Sequence, residues 1–174
     1  MTMTPDRIAI VVGAILAVFL QVALAPYIAI LGAMPNFIVV FVLIVALSRP
    51  HGFGAVLPFV LGLIYDLTTG GPVGAMAFSL TAFSYLAARL YSSLENDTLF
   101  MPLAIMALSI LVIEVSYAVF LMMFGYNTGI VEALAYRVFP NLAYNLILGI
   151  VLYLFTTRFF RQSGTGRHDV MRLR

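Results

Sequence analysis

Few side chains in this sequence could do chemistry, and they stand far apart. In "GLIYDLTTGGPVG", residues 62–74, Asp66 closes an otherwise apolar run that opens into glycines. A second acid, Glu114, interrupts the apolar "LVIEVSY" of residues 111–117, and Gln21, Asn36, Asn141 and Asn145 are the other notable polar residues inside apolar stretches. An ionisable group in such a stretch is a functional-site hypothesis by default. Each has a plainer reading beside it. Asp66, just before Thr68, Thr69 and Gly70, either caps the N–H groups of a turn or faces headgroup water. Glu114 is either held neutral or hydrogen-bonded to a polar partner, and a structural bond is weighed there against a transport or proton-relay role. Asn141 and Asn145, four apart, share one helix face, so Asp66, Glu114, Asn141 and Asn145 could form one polar cluster if their helices touch.

Other chemistries lack their residues. There is no cysteine, which removes thiolate metal sites, disulfides and a cysteine nucleophile together. The sequence carries no phosphate-binding glycine loop, no metal-spaced histidine or glutamate pair, no G-x-S-x-G elbow and no paired carboxylates. His51 and His168 both fall at predicted cytoplasmic positions. We therefore expect no enzyme, no cofactor, no metal and no nucleic-acid partner.

The elements that would position these residues follow from composition. Of 174 residues, 63% are hydrophobic and 9% charged, against about 25% charged in a soluble domain. This pattern predicts an all-α polytopic membrane protein. A helix crosses a bilayer with about 20 apolar residues, and candidate spans lie at 8–31, 35–48, 53–67, 73–90, 99–124 and 138–160. The first resembles a signal peptide with Ala23, Leu24 and Ala25 as an A-x-A site, but it is longer than the usual apolar core and Pro26 would follow the scissile bond, so it is read as a retained helix. Ser48, Arg49, Pro50, His51 and Gly52 break the second span from the third. Pro58 is expected to kink the third helix, and Pro102 falls in the first turn of the fifth.

Arginines fix the orientation. All nine basic residues are arginine; with six spans and the N-terminus inside, eight of them lie on cytoplasmic segments and only Arg137 lies outside. The expectation is six transmembrane helices, N-in/C-in, in a domain over residues 1–161. A basic cytoplasmic tail over 162–174 would lean on anionic lipids. Ala9, Gly13 and Ala17, four apart on the first helix, make a small-residue stripe that allows close helix packing.

Residues 34–86 resemble the MreD family of bacterial rod shape-determining membrane proteins. The marks are Pro35 and Asn36 opening a short second span, the basic break at Arg49, and the G-L-x-x-D-L segment of Gly62, Leu63, Asp66 and Leu67. A small-residue turn at Gly70 and Gly71 and then Gly74 follow them. Chain length, six spans and a carboxylate in the fifth, here Glu114, agree with the family. The resemblance implies a non-enzymatic scaffold of the bacterial inner membrane. Its implied partners are the MreC-like bitopic protein, a SEDS glycosyltransferase with a class B penicillin-binding protein, and MreB-like filaments on the cytoplasmic side. Residues of the 62–74 segment would then shape an outer-leaflet pocket or hold two helix ends at a fixed angle. A rival reading is the substrate-binding subunit of an energy-coupling factor vitamin transporter, also a small six-span protein, although the short, polar-poor outer loops offer few ligand contacts.

Overall fold

The computed structural model describes residues 5–30, 33–94, 100–125 and 138–164. Among the described residues, six α-helices follow one another: α1 Pro5–Ala23, α2 Phe37–Ser48, α3 Val56–Thr69, α4 Ala75–Ser93, α5 Phe100–Met123 and α6 Phe139–Gly164. A 3-10 turn, Pro50–Gly52, joins α2 to α3. Among the described residues there is no strand, only an isolated bridge between Ile30 and Ala33.

The shortest helix is the centre of the bundle. α2 has twelve residues, "FIVVFVLIVALS", apolar on every face, and a helix apolar all round has to be buried on all sides. It touches each of the other five helices, and Ile38, Val39, Val40, Val42, Leu43 and Ala46 are fully buried. At about 18 Å it falls short of a hydrocarbon core of about 30 Å; its neighbours cover it. Met76 and Leu80 of α4 and Met106, Ile110 and Ile113 of α5 complete the core around it.

The outside is apolar as well. Ile15 on α1, Val56 on α3, Phe78 on α4, Phe100 on α5 and Ile147 on α6 are all more than half exposed, an exterior that water does not favour on a monomer. Among the described residues, α5 alone is long and apolar enough by itself to cross a membrane; the apolar stretches Arg7–Ala23, Phe37–Ser48, Val56–Thr69 and Phe139–Phe155 are shorter.

Several boundaries differ from the sequence expectation. The first helix stops at Ala23 rather than residue 31, because Pro26 removes a donor and disfavours helical geometry before it. The chain leaves through tight turns in which Leu24 and Ala25 N–H donate to the Leu20 carbonyl. α3 starts at Val56, not 53, so Pro58 sits third in the helix, within the first turn. Its missing N–H removes no intrahelical bond there, which overturns the expected kink. α6 continues to Gly164, three residues into the segment read as tail. Arg137 and residues 165–174 lie outside the described residues.

Candidate functional site: two buried polar braces

Asp66 sits one turn before the end of α3, and Gly62 lies four residues earlier on the same face. Both face the start of α4. A Cβ at Gly62 would lie 2.5 Å from Ala77 Cα and 2.8 Å from Ala77 N, so only glycine lets the two backbones approach this closely. That approach brings the Asp66 carboxylate onto the first turn of α4. It accepts from Gly74 N–H at 2.9 Å, from Met76 N–H at 3.1 Å and from Ala77 N–H at 3.2 Å.

The arrangement solves a local problem in α4. Its N-cap residue is Gly74, which has no side chain to offer the unpaired first-turn donors. Asp66 supplies the missing cap from the preceding helix. The intervening turn needs glycine twice: Gly70 ends α3 at φ 68° and Gly74 begins α4 at φ 97°, left-handed conformations that other residues resist. Gly71 leaves room for Tyr117 of α5, whose hydroxyl would collide with a Cβ there. Tyr117 also meets Tyr65 edge-to-face, with centroids 5.9 Å apart. Asp66 is only 1% exposed, so of the two sequence readings it takes the capping of backbone N–H groups, inside the bundle, rather than facing headgroup water.

The second brace gathers helix ends around Glu114. Asn145 on α6 donates from Nδ2 to Glu114 Oε1 at 3.1 Å, while its Oδ1 accepts from Asn36 N–H at 2.6 Å. Asn141, one turn earlier on α6, lies 3.5 Å from Glu114 Oε2 and accepts from Met34 N–H at 3.1 Å. Asn36 caps α2, its Oδ1 accepting from Val39 N–H at 3.0 Å, and Gln21 Oε1 near the end of α1 accepts from Phe37 N–H at 2.8 Å. Pro35 is buried directly before that cap. Asn36 Nδ2 is buried and finds no acceptor among the described residues.

Thus Glu114, Asn141 and Asn145 come together, joined by Asn36 and Gln21, while Asp66 keeps its own partners. The two braces are neighbours, since Tyr117 stands one helical turn from Glu114 on α5. Sequence reasoning missed Tyr117, the Ser79–Ser116 hydroxyl pair at 2.9 Å, and Tyr144, whose hydroxyl donates to the Ile28 carbonyl at 2.8 Å. The three-residue spacing of Glu114 and Tyr117 was the available signal. The stripe of Ala9, Gly13 and Ala17 is not part of either brace. It turns toward α2, where Gly13 would meet the Phe41 ring at 2.6 Å if it bore a Cβ, and Ala17 is buried.

Chemically, both acids have their acceptor capacity committed to groups that hold helix ends. Among the described residues no group of three or more histidine, cysteine or acidic side chains could hold a metal ion. The class defined by this fold and these sites is a small helical bundle with an apolar exterior, whose buried polar groups brace one end of the bundle. The profile of the rod shape-determining protein MreD matches residues 6–163, and the chain belongs to the MreD family, a family of shape-determining membrane proteins. No solved structure matches it.

Proposed function

We propose that this chain is a non-enzymatic scaffold of the rod-shape machinery in the bacterial inner membrane. It crosses six times with both termini in the cytoplasm, binds the transmembrane helix of an MreC-like bitopic partner, and so supports regulation of peptidoglycan synthesis during elongation. The family match over residues 6–163 carries this reading. The geometry supports it because the carboxylates of Asp66 and Glu114 accept hydrogen bonds from helix-end backbone and asparagine donors and so tie helices together. The short α2 and α3 are accommodated by burial against longer neighbours and by local thinning of the bilayer.

In this reading residues 1–161 form one transmembrane domain and 162–174 a basic cytoplasmic tail resting on anionic lipids. Pro35, Asn36, Gly62, Asp66, Gly70, Gly71, Gly74 and Glu114 set the angles between helices, and a partner helix packs on the apolar exterior they hold in place. Packing and interhelical hydrogen bonds drive such association in lipid. A SEDS glycosyltransferase with its class B penicillin-binding protein, and MreB-like filaments beneath the membrane, are the wider assembly.

The test is co-purification of the tagged chain from native membranes in mild detergent. Recovery of an MreC-like protein is the expected result. Recovery of an ATPase module in its place would overturn the scaffold and favour the vitamin-transporter reading.

A further inference from the structure

α2 and α3 are both short, but α2 is enclosed by its neighbours while α3 shows a whole side to the surroundings. Val56, Phe59, Val60 and Leu67 are exposed, with Leu63 and Ile64 half-buried beside them. These positions fall at helical spacing and make one apolar face.

That face cannot be lengthened at either end. Gly54 and Ala55 before it are exposed and non-helical, and Gly70, exposed at φ 68°, turns the chain back toward α4. Irregular backbone facing lipid does not occur inside the hydrocarbon, so this side offers the bilayer at most the 14 residues of Val56–Thr69. At 1.5 Å per residue they span about 21 Å, against a hydrocarbon core of about 30 Å. Tilting the helix would only shorten the span. The helices on either side of α3, α1 and α4, have 19 residues each. α5 has 24, about 36 Å, and is exposed from Phe100 through Leu108 and Val119 to Met123.

We propose that the outward face of α3 selects phospholipid with shorter acyl chains, so that the bilayer is thinned in one sector between α1 and α4 while α5 faces lipid of ordinary thickness. Mismatch has a modest cost for each ångström, and a shorter chain reduces it. Arg7 and Arg49 line a cavity together with Val56, Leu57 and Val60, so arginine side chains stand beside the first turns of α3, where a headgroup layer drawn inward would meet them. The thin sector rests on α3 crossing the membrane, as in the six-span reading above.

Fluorescence quenching of the full chain in phosphatidylcholine vesicles tests this. The chain has no tryptophan, so Phe59→Trp on α3 and Leu108→Trp on α5, both at exposed positions, each supply a single reporter. Dibrominated dioleoyl-phosphatidylcholine quenches it, and unbrominated dimyristoleoyl- or dierucoyl-phosphatidylcholine competes for the same face. At residue 59 the shorter dimyristoleoyl lipid should compete about threefold better than the longer dierucoyl lipid. At residue 108 the longer lipid should compete at least as well as the shorter. Adding Thr68→Leu and Thr69→Leu, both at exposed positions, extends the apolar face and should bring the preference at residue 59 below about twofold. The same chain-length preference at both positions, or a preference for the longer lipid at residue 59, overturns the proposal. Quenching at residue 108 with none at residue 59 also overturns it, since a second copy of the chain would then cover α3. Should Phe59→Trp fail to accumulate, Val60→Trp on the same face takes its place with the same expected ratio. Reporter fusions test the crossings and partner recovery tests the scaffold, so equal preferences here with both of those results as expected would refute the thin sector alone.

Discussion

Replacing Asp66 tests the brace between α3 and α4 directly. In Asp66→Leu, the N–H groups of Met76 and Ala77, both in buried residues, lose their acceptor, and an orphaned buried donor costs about 1–3 kcal/mol. Gly74 N–H, less enclosed, adds less. A loss of about 3–5 kcal/mol follows, a large share of the net stability of a domain this size. Asp66→Asn behaves differently. Oδ2 accepts from all three donors, at 2.9, 3.1 and 3.2 Å, so an amide oxygen placed there keeps those three bonds and loses only the second contact of Met76 N–H, to Oδ1 at 3.1 Å. The amide also turns a donor toward Met76 N–H where Oδ1 had accepted, so about 1–2 kcal/mol goes. Thermal melting of the purified protein in one detergent, read beside membrane protein level, should rank wild type above Asn and Asn well above Leu. A leucine variant as stable as wild type, or an asparagine variant as weak as leucine, would refute the capping argument.

Other perturbations probe the remaining contacts. Gly62→Ala should lower stability by about 1–3 kcal/mol, since the added Cβ meets Ala77 and Met76 backbone at 2.5–2.9 Å. Gly70→Ala should cost only about 1 kcal/mol, as its left-handed φ of 68° is strained for alanine but nothing crowds it; melting curves that reverse this order contradict the packing account. Asn145→Ala breaks bonds to both Asn36 and Glu114 and should cost about 2–4 kcal/mol, against about 1 kcal/mol for Asn141→Ala with its longer contacts. Equal melting temperatures for these two variants would count against Asn145 as the central link. Reporter fusions at residue 174 and near Thr128 should report opposite sides of the membrane, and a periplasmic C-terminus would end the six-span orientation.

Sequence reading placed the helices well where punctuation was local. The cluster at 48–52 divides α2 from α3, and Gly70 to Gly74 divides α3 from α4, because proline and positive-φ glycine act through the backbone of their immediate neighbours. Boundaries were poor at 8–31, where apolar turn residues continued the hydropathy of α1 although the helix had ended. Asn36 was legible as the opening of the second span, and its N-cap bond to Val39 is three residues long.

What the sequence determined by itself is an apolar helical chain of the MreD family, with its breaks in order and Gly62 and Asp66 on one helix face. Periodicity and side-chain chemistry are local properties, and they suffice for that much. Tertiary structure decided which polar groups meet. Asn145 reaches Glu114 across 31 residues and Asn36 across 109, and no pattern within one helix specifies a partner on another. It also decided that Asp66 caps backbone N–H groups inside the bundle rather than facing headgroup water, because burial depends on how closely α4 approaches, and that approach is set by a missing side chain at Gly62 meeting the Ala77 backbone.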